Sequence, residues 1–319
     1  MTVLLVTVAD DRAGRKEGKY ADTQNAVLEF LQRQSFGIDR YAFWKWPDIA
    51  ATDFYRQNQA MLDHLDADMN GRCYKPYVIL EGLKSLQDGD FLIYNDVSPN
   101  IWAAYLQKGV IDSGVYDIAV IKKLCTDNGG ILSTCVRLTL PGNSISPADI
   151  FDHTHENFTL EHCINRMGMQ AYKHSLQHAS GMMVLQKSQK TLDFVSEWLQ
   201  WNLIDECASL GSVPANRNEP GPARAYIVLP PQYNFWNEEV QKGYGKLGHR
   251  HDQSISGLLL NRMGHKLVRE TEEFCFLGFC KKYKTYEFID SNQPPTPYKL
   301  KMRHGTTDGP DGVIDRVPR

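Results

Sequence analysis

Phe91-Leu92-Ile93-Tyr94-Asn95-Asp96 is an apolar run that stops on a carboxylate. A strand inside an α/β sheet is covered on both faces, so it is apolar throughout, and ligands gather beyond the carboxyl ends of such strands. A carboxylate at that end is costly unless water, a cation or a polar ligand meets it. Just upstream, Tyr74-Lys75-Pro76-Tyr77-Val78-Ile79-Leu80 reads as a helix start, with Pro76 at the first helical position and apolar residues at helical spacing. Gly89-Asp90 then turns the chain into the strand.

Working back from this strand, residues 3–8 form a first apolar strand that ends in Ala9-Asp10-Asp11. A charged, Gly-bearing loop (residues 11–19) leads to a helix over residues 21–34, with Ala26, Val27, Phe30 and Leu31 on one face. Gly37 ends that helix, residues 38–44 form a second strand, and residues 53–65 another amphipathic helix. This alternation predicts a single α/β domain with a Rossmann-type mixed, mostly parallel sheet flanked by helices. Working forward, residues 115–121 read as a strand, and residues 159–167 as a helix capped by Thr159 or Asn157. Residues 177–186 pass from polar loop to strand. A long helix over residues 188–203 turns Leu192, Phe194, Val195, Trp198 and Leu199 inward. Residues 139–148, 211–223 and 243–248 are loops rich in Gly, Pro or Asn. The domain is placed at residues 1–290, and residues 291–319 form a Pro- and Gly-rich tail that adds little core.

Composition narrows the class. A chain of 319 residues with 42% hydrophobic content, 13 Phe, 15 Tyr and 6 Trp has ample material for one large core. Net charge is −3 and no basic block could track a phosphate backbone, which argues against nucleic acid as a partner. No apolar run approaches the roughly 20 residues needed to span a bilayer. Met1-Thr2 passes directly into the first strand without a basic leader, so the N-terminus reads as structure rather than signal peptide. The 7 cysteines are dispersed, and Cys275 and Cys280 sit among Phe276, Leu277 and Phe279 as buried thiols. This usage suits a reducing compartment and a cytoplasmic enzyme, with room for peripheral work at a membrane.

The polar motifs carry the functional reading. His249-Arg250-His251-Asp252-Gln253-Ser254 opens a helix whose buried face is Ile255, Leu258, Leu259 and Met263. Asp252 is a natural helix cap, yet its neighbours can all bond to sugar hydroxyls or phosphate. Lys75 near a positive helix end favours an anionic partner. In Gln177-His178-Ala179-Ser180-Gly181, small residues would let a ligand approach the backbone while Gln177 offers a hydrogen-bonding end. His153-Thr154-His155-Glu156 has no zinc spacing and reads as a capped loop.

Taken in order, Val8-Ala9-Asp10, Tyr74-Lys75-Pro76-Tyr77, Gly89–Asp96, Gln177–Gly181 and His249–Ser254 resemble a family of GT-A-fold nucleotide-diphospho-sugar glycosyltransferases, of the kind found in bacterial surface-polysaccharide clusters and large viruses. The resemblance spans roughly residues 1–275 and implies transfer of a sugar from a nucleotide-diphosphate donor to a glycan or lipid-linked hydroxyl. It implies that Thr7, Ala9 and Asp10 hold the base and ribose, and that Lys75, Arg250 and Asp96 meet the diphosphate, Lys75 pairing with a phosphate or with Asp96, and Asp96 acting through Mn²⁺ or Mg²⁺ with His304 or His265 completing the metal shell. Gln177, Ser180, Gly181 and His249 would contact the sugar, and Asp252 with Gln253 would carry the chemistry. Ser98 stands where the wider GT-A pattern has a second Asp. Two rivals remain. A sugar-phosphate nucleotidyltransferase would use the basic loop with Gly14, Arg15, Lys16, Gly18 and Lys19, and a noncatalytic glycan-binding protein could keep the same fold.

Overall fold

The computed structural model describes residues 1–12, 19–33, 37–63, 73–97, 118–135, 154–208, 251–270, 286–292, 302–303 and 313–314. Strand β1 (Val3–Ala9) is buried along its whole length. Its side chains alternate between two layers: Leu4, Val6 and Val8 enter one core, Val3 and Leu5 the other. Strand β2 (Arg40–Lys45) pairs in parallel with one edge of β1, and β3 (Phe91–Asn95) with the other. With β4 (Ile131–Cys135), β5 (His178–Gln186), β6 (Lys266–Glu270) and β7 (Tyr286–Asp290), the sheet has the order β2-β1-β3-β5-β4-β6-β7. β5 is antiparallel to both β3 and β4, and β7 is antiparallel to β6; the other five strands share a direction. The expected mixed, mostly parallel α/β sheet is therefore present. The two-residue strands at 302–303 and 313–314 form a separate antiparallel pair.

The helices of the N-terminal half are α1 (Lys19–Arg33), α2 (Trp46–Ala50), α3 (Asp53–Leu62), α4 (Tyr74–Lys84) and α5 (Ile118–Asp127). Those that follow are α6 (His155–Phe158), α7 (Glu161–Arg166), α8 (Gln189–Asn202), α9 (Asp205–Ala208) and α10 (Asp252–Arg262). Asp11 accepts from the backbone of Tyr20 and Ala21, both at 2.9 Å, and so caps the start of α1 rather than forming a merely solvated turn. Ser188 caps α8 by accepting from the Thr191 amide.

Helix α4 sits directly on β1 and β3. At Gly82 a Cβ would lie 2.6 Å from Leu92 and 3.0 Å from Val6, so a side chain there would push on both, and glycine lets the helix come this close without that cost. α4 begins at Tyr74 after Cys73, which puts Lys75 second and Pro76 third rather than first. The third amide still has no intrahelical acceptor, so proline costs nothing there. Helices α8 and α10 pack in the same layer, with Trp198, Leu258 and Leu259 fully buried.

Two expectations are corrected, and one strand is new. Residues 118–121, read as the second half of a strand, are the first turn of α5. Ile118, Ile121 and Cys125 recur at helical spacing and pack on the core opposite α4. β4 had not been anticipated; its five residues follow the turn at Gly129 and Gly130, both at positive φ. The helix expected from residue 159 starts at Glu161, because the Thr159 side chain bonds to His155 and Gln177 instead. At the far end of the domain, Ser291 is fully buried and its hydroxyl donates to Asn261 Oδ1 at 2.6 Å, so the first residue of the Pro- and Gly-rich segment belongs to the core.

Candidate functional site

The alternation of β3 decides which helices its carboxylate meets. Leu92 and Tyr94 face the layer of α4 and α10, and Asp96, two residues on, follows them. Lys75 near the start of α4 and Asp252 at the first position of α10 therefore converge on the carboxyl end of β3. The Lys75 ammonium lies 2.8 Å from Asp252 Oδ2 and 3.2 Å from Asp96 Oδ1. It is also 3.3 Å from Asp96 Oδ2 and donates to Ser180 Oγ at 3.4 Å. The Ser180 hydroxyl donates to Asp252 Oδ2 at 2.9 Å, and the Tyr94 hydroxyl to Asp96 Oδ1 at 2.7 Å. Two carboxylates far apart in the chain are thus joined through one ammonium.

Burial divides the cluster. The Lys75 and Asp252 side chains are each 6% exposed, whereas that of Asp96 is 45% exposed and forms the open edge. Lys75 at a helix start lies against the positive end of the helix dipole, and the two carboxylates offset that cost. Burial and the neighbouring Asp96 charge push the Tyr94 phenol well above its ordinary range, so it stays a donor. The antiparallel β5 brings Gly181 beside Asp96, whose amide donates to the Gly181 carbonyl at 2.7 Å. A Cβ on Gly181 would lie 3.1 Å from Asp96 Oδ2, so the missing side chain is what leaves room for the carboxylate. The Trp198 indole donates to the Asp252 carbonyl at 2.9 Å and fixes the start of α10. His251 precedes it at φ 48, a left-handed conformation that histidine seldom adopts, with its Nδ1 donating to the Ala208 carbonyl at 2.7 Å.

Asp10 ends β1 on the same side of the sheet, but its partner is Arg12. The guanidinium donates to Asp10 from Nε at 2.7 Å and from a terminal nitrogen at 2.6 Å. It also donates to the Leu62 carbonyl and stacks 3.4 Å from the Trp46 ring centre. Thr7 is buried and accepts from Gln24 at 2.8 Å, and Ala9 is buried beside it. A ribose would reach Asp10 only by displacing Arg12. Nothing in the sequence reading singled out Arg12, Trp46 or Tyr94. Tyr94 could have been found from its two-residue spacing to Asp96; Arg12 and Trp46 carry no comparable signal.

Gln177 is fully buried. Its amide donates to Thr159 and Ser254, and its carbonyl accepts from Gln253 at 3.2 Å, so the two glutamines act as one bridge between β5 and α10. His178 is also fully buried. Its Nε2 donates to Asn261 Oδ1 at 3.0 Å, which leaves Nδ1 to accept from Ser133 at 2.6 Å. His155, from the His153–Glu156 segment, is a core residue bonded through Nδ1 to Thr159 at 2.8 Å, not a loop cap.

Ser98, His249, Arg250 and His304 lie outside the described residues, as do the basic loop from Gly14 to Gly18, the segments 211–223 and 243–248, and Cys275 with Cys280. Among the described residues there is no group of three or more His, Cys, Asp and Glu side chains that could hold a metal ion, and no helix long and apolar enough to cross a membrane. Comparison of the chain with protein-family models, with curated proteins and with solved structures gives no match.

Proposed function

We propose that this chain is a GT-A-like glycosyltransferase that moves a sugar from a nucleotide-diphosphate donor to a hydroxyl of a glycan or lipid-linked acceptor. The observation that carries this reading is the meeting of Asp96 and Asp252 on the Lys75 ammonium at the carboxyl end of a central strand. In the transfer, the bond from the anomeric carbon to the diphosphate oxygen breaks and a bond to the acceptor oxygen forms. The acceptor proton passes to solvent water, and a nucleoside diphosphate departs with the bonding electron pair. Lys75 and Arg250 offset the charge that grows on the diphosphate. Asp252, paired with an ammonium and bonded to Ser180, is better suited to orient a donor hydroxyl than to strip a proton. Gln253, Ser180, Gly181 and His249 complete the sugar end, with Gln177 holding Gln253 from the core, and a nucleotide at the end of β1 displaces Arg12 from Asp10.

The oxygen donors fit a hard cation. Mg²⁺ and Mn²⁺ are commonly held by one or two carboxylates together with substrate phosphates, and Asp96, with a side chain 45% exposed, is the carboxylate that would meet such an ion. When bound, the ion would neutralise diphosphate charge. Two carboxylates at this end of the sheet repel an anionic donor, which therefore gains from arriving with a cation.

Two results test the reading. A screen of nucleotide sugars should release nucleoside diphosphate from at least one donor in the presence of acceptor; release of pyrophosphate would point to nucleotidyl transfer, and no nucleotide binding by calorimetry to a glycan-binding protein. Asp96→Ala should abolish transfer in a folded protein, and full activity in that variant would remove the basis of the site. Gly181→Val gives a graded check. A Cβ there already crowds the Asp96 carboxylate at 3.1 Å, and the valine methyls push it further from its place, so turnover is expected to fall, by about 100-fold for a misplacement of about 1 Å. A variant that kept its activity would show that the position of Asp96 does not matter.

A further inference from the structure

The space between Asp96 and Asp252 has the make-up of a divalent-cation seat: two carboxylates and the Ser180 hydroxyl facing one point. That point is taken by Lys75 Nζ, which lies 2.8 Å from Asp252 Oδ2, 3.2 Å from Asp96 Oδ1 and 3.4 Å from Ser180 Oγ. These are ammonium distances, about 1 Å longer than Mg²⁺–oxygen bonds. The lysine cannot simply swing away. Its side chain is 6% exposed, and its helix is locked onto the sheet at Gly82. The ammonium also sits near the positive end of α4, a place where lysine is unfavourable unless an anion compensates it.

We propose that Lys75 is the resident cation of this seat, so that a bare divalent ion is shut out from between Asp96 and Asp252, and that the seat is a latent metal site opened by removing the lysine charge. A metal serving the protein then meets Asp96 from outside that seat. The inference goes beyond the transfer reading and does not depend on it, because it concerns the free protein and a bare ion.

The test uses Mn²⁺ alone, followed by electron paramagnetic resonance and by thermal unfolding, on the wild type, Asp252→Asn, Lys75→Met and the Lys75→Met/Asp252→Asn double variant. Lys75→Met is expected to bind one Mn²⁺ at least about tenfold tighter than the wild type, and the double variant to lose that gain. In about 1 mM Mn²⁺ the Tm of Lys75→Met should rise by roughly 5 °C, with little change in the wild type. Folding of Lys75→Met only when Mn²⁺ is present would support the same conclusion. The wild type decides the matter if Lys75→Met does not fold at all. Weak Mn²⁺ binding, or binding that persists in Asp252→Asn, leaves the seat to the lysine. Tight binding to the wild type that disappears in Asp252→Asn overturns the proposal, as does a folded Lys75→Met that gains no affinity.

Discussion

Lys75→Met is expected to cost the fold about 3–5 kcal/mol at pH 7.5, the typical penalty for removing one partner of a buried ion pair. Methionine keeps most of the chain length, so packing against Tyr94 changes little and the loss reports on charge. The contrast within the same molecule is Lys123, whose side chain is 75% exposed and paired with Asp127. Lys123→Ala should cost no more than about 0.5 kcal/mol, because water screens the pair and the entropy of holding it offsets the attraction. Denaturant titration of both variants measures the difference. A double-mutant cycle then isolates the pair. Asp252→Asn in the Lys75→Met background should restore a large part of the lost stability, since no buried carboxylate is left without its ammonium. The sign with pH also follows. In Lys75→Met the folded state holds a proton on the buried carboxylate more readily than the unfolded chain does, so its deficit relative to wild type should shrink as pH falls. Single variants whose effects simply add, with a deficit independent of pH, would mean that Lys75 and Asp252 are neighbours without energetic coupling.

That pair shows which parts of the site the sequence could disclose. Asp96 was legible because a buried strand ends on it, and Asp252 because it opens an apolar helix among polar residues. Both signals are local. Their meeting on Lys75 is not legible in the sequence, since no periodicity reports that α4 and α10 pack in one layer; Gly82 and Trp198 settle that through close packing. The strands β1, β2, β3 and β5 and the helix α8 were readable from apolar runs and caps. The segment at 118–121 was not, because a four-residue apolar run fits either period until the following turn is included. Arg12 defeated the reading for another reason. Its clamp on Asp10 depends on Trp46 and Leu62, which come from separate elements, and a charged residue in a charged loop looks like every other surface residue. His155 and His178 look equally ordinary in sequence, and only burial makes them consequential.

Acid is therefore expected to destabilise this protein well above the range in which carboxylates titrate. Burial, aided by the proximity of other histidines, depresses both His155 and His178 from 6.5 to about 3. His178 has both ring nitrogens committed in the neutral form, one donating to Asn261 and one accepting from Ser133. His155 Nε2 is buried with no hydrogen-bond partner, and Gly257 leaves just enough space for it, a Cβ there lying 3.1 Å away. Neither pocket can take a second ring proton without breaking a bond or burying a charge. Since the folded values lie below the unfolded ones, the unfolded chain binds more protons between pH 6.5 and 3. The stability these residues contribute is present above pH 6.5 and is lost as pH falls towards 3. At pH 5 the loss comes to about 2 kcal/mol for each histidine, or about 4 kcal/mol for the two, a large share of the 5–15 kcal/mol typical of a domain. Urea titrations at pH 7.5, 6.0 and 5.0 should show this decline. Replacing His155 with leucine, which cannot titrate, should remove about half of the slope even if it lowers stability at pH 7.5. A folded protein whose stability is flat from pH 7.5 to 5.0 would show that these rings accept protons in place, and that the network around Asn261, Ser291 and Thr159 is looser than its hydrogen bonds imply.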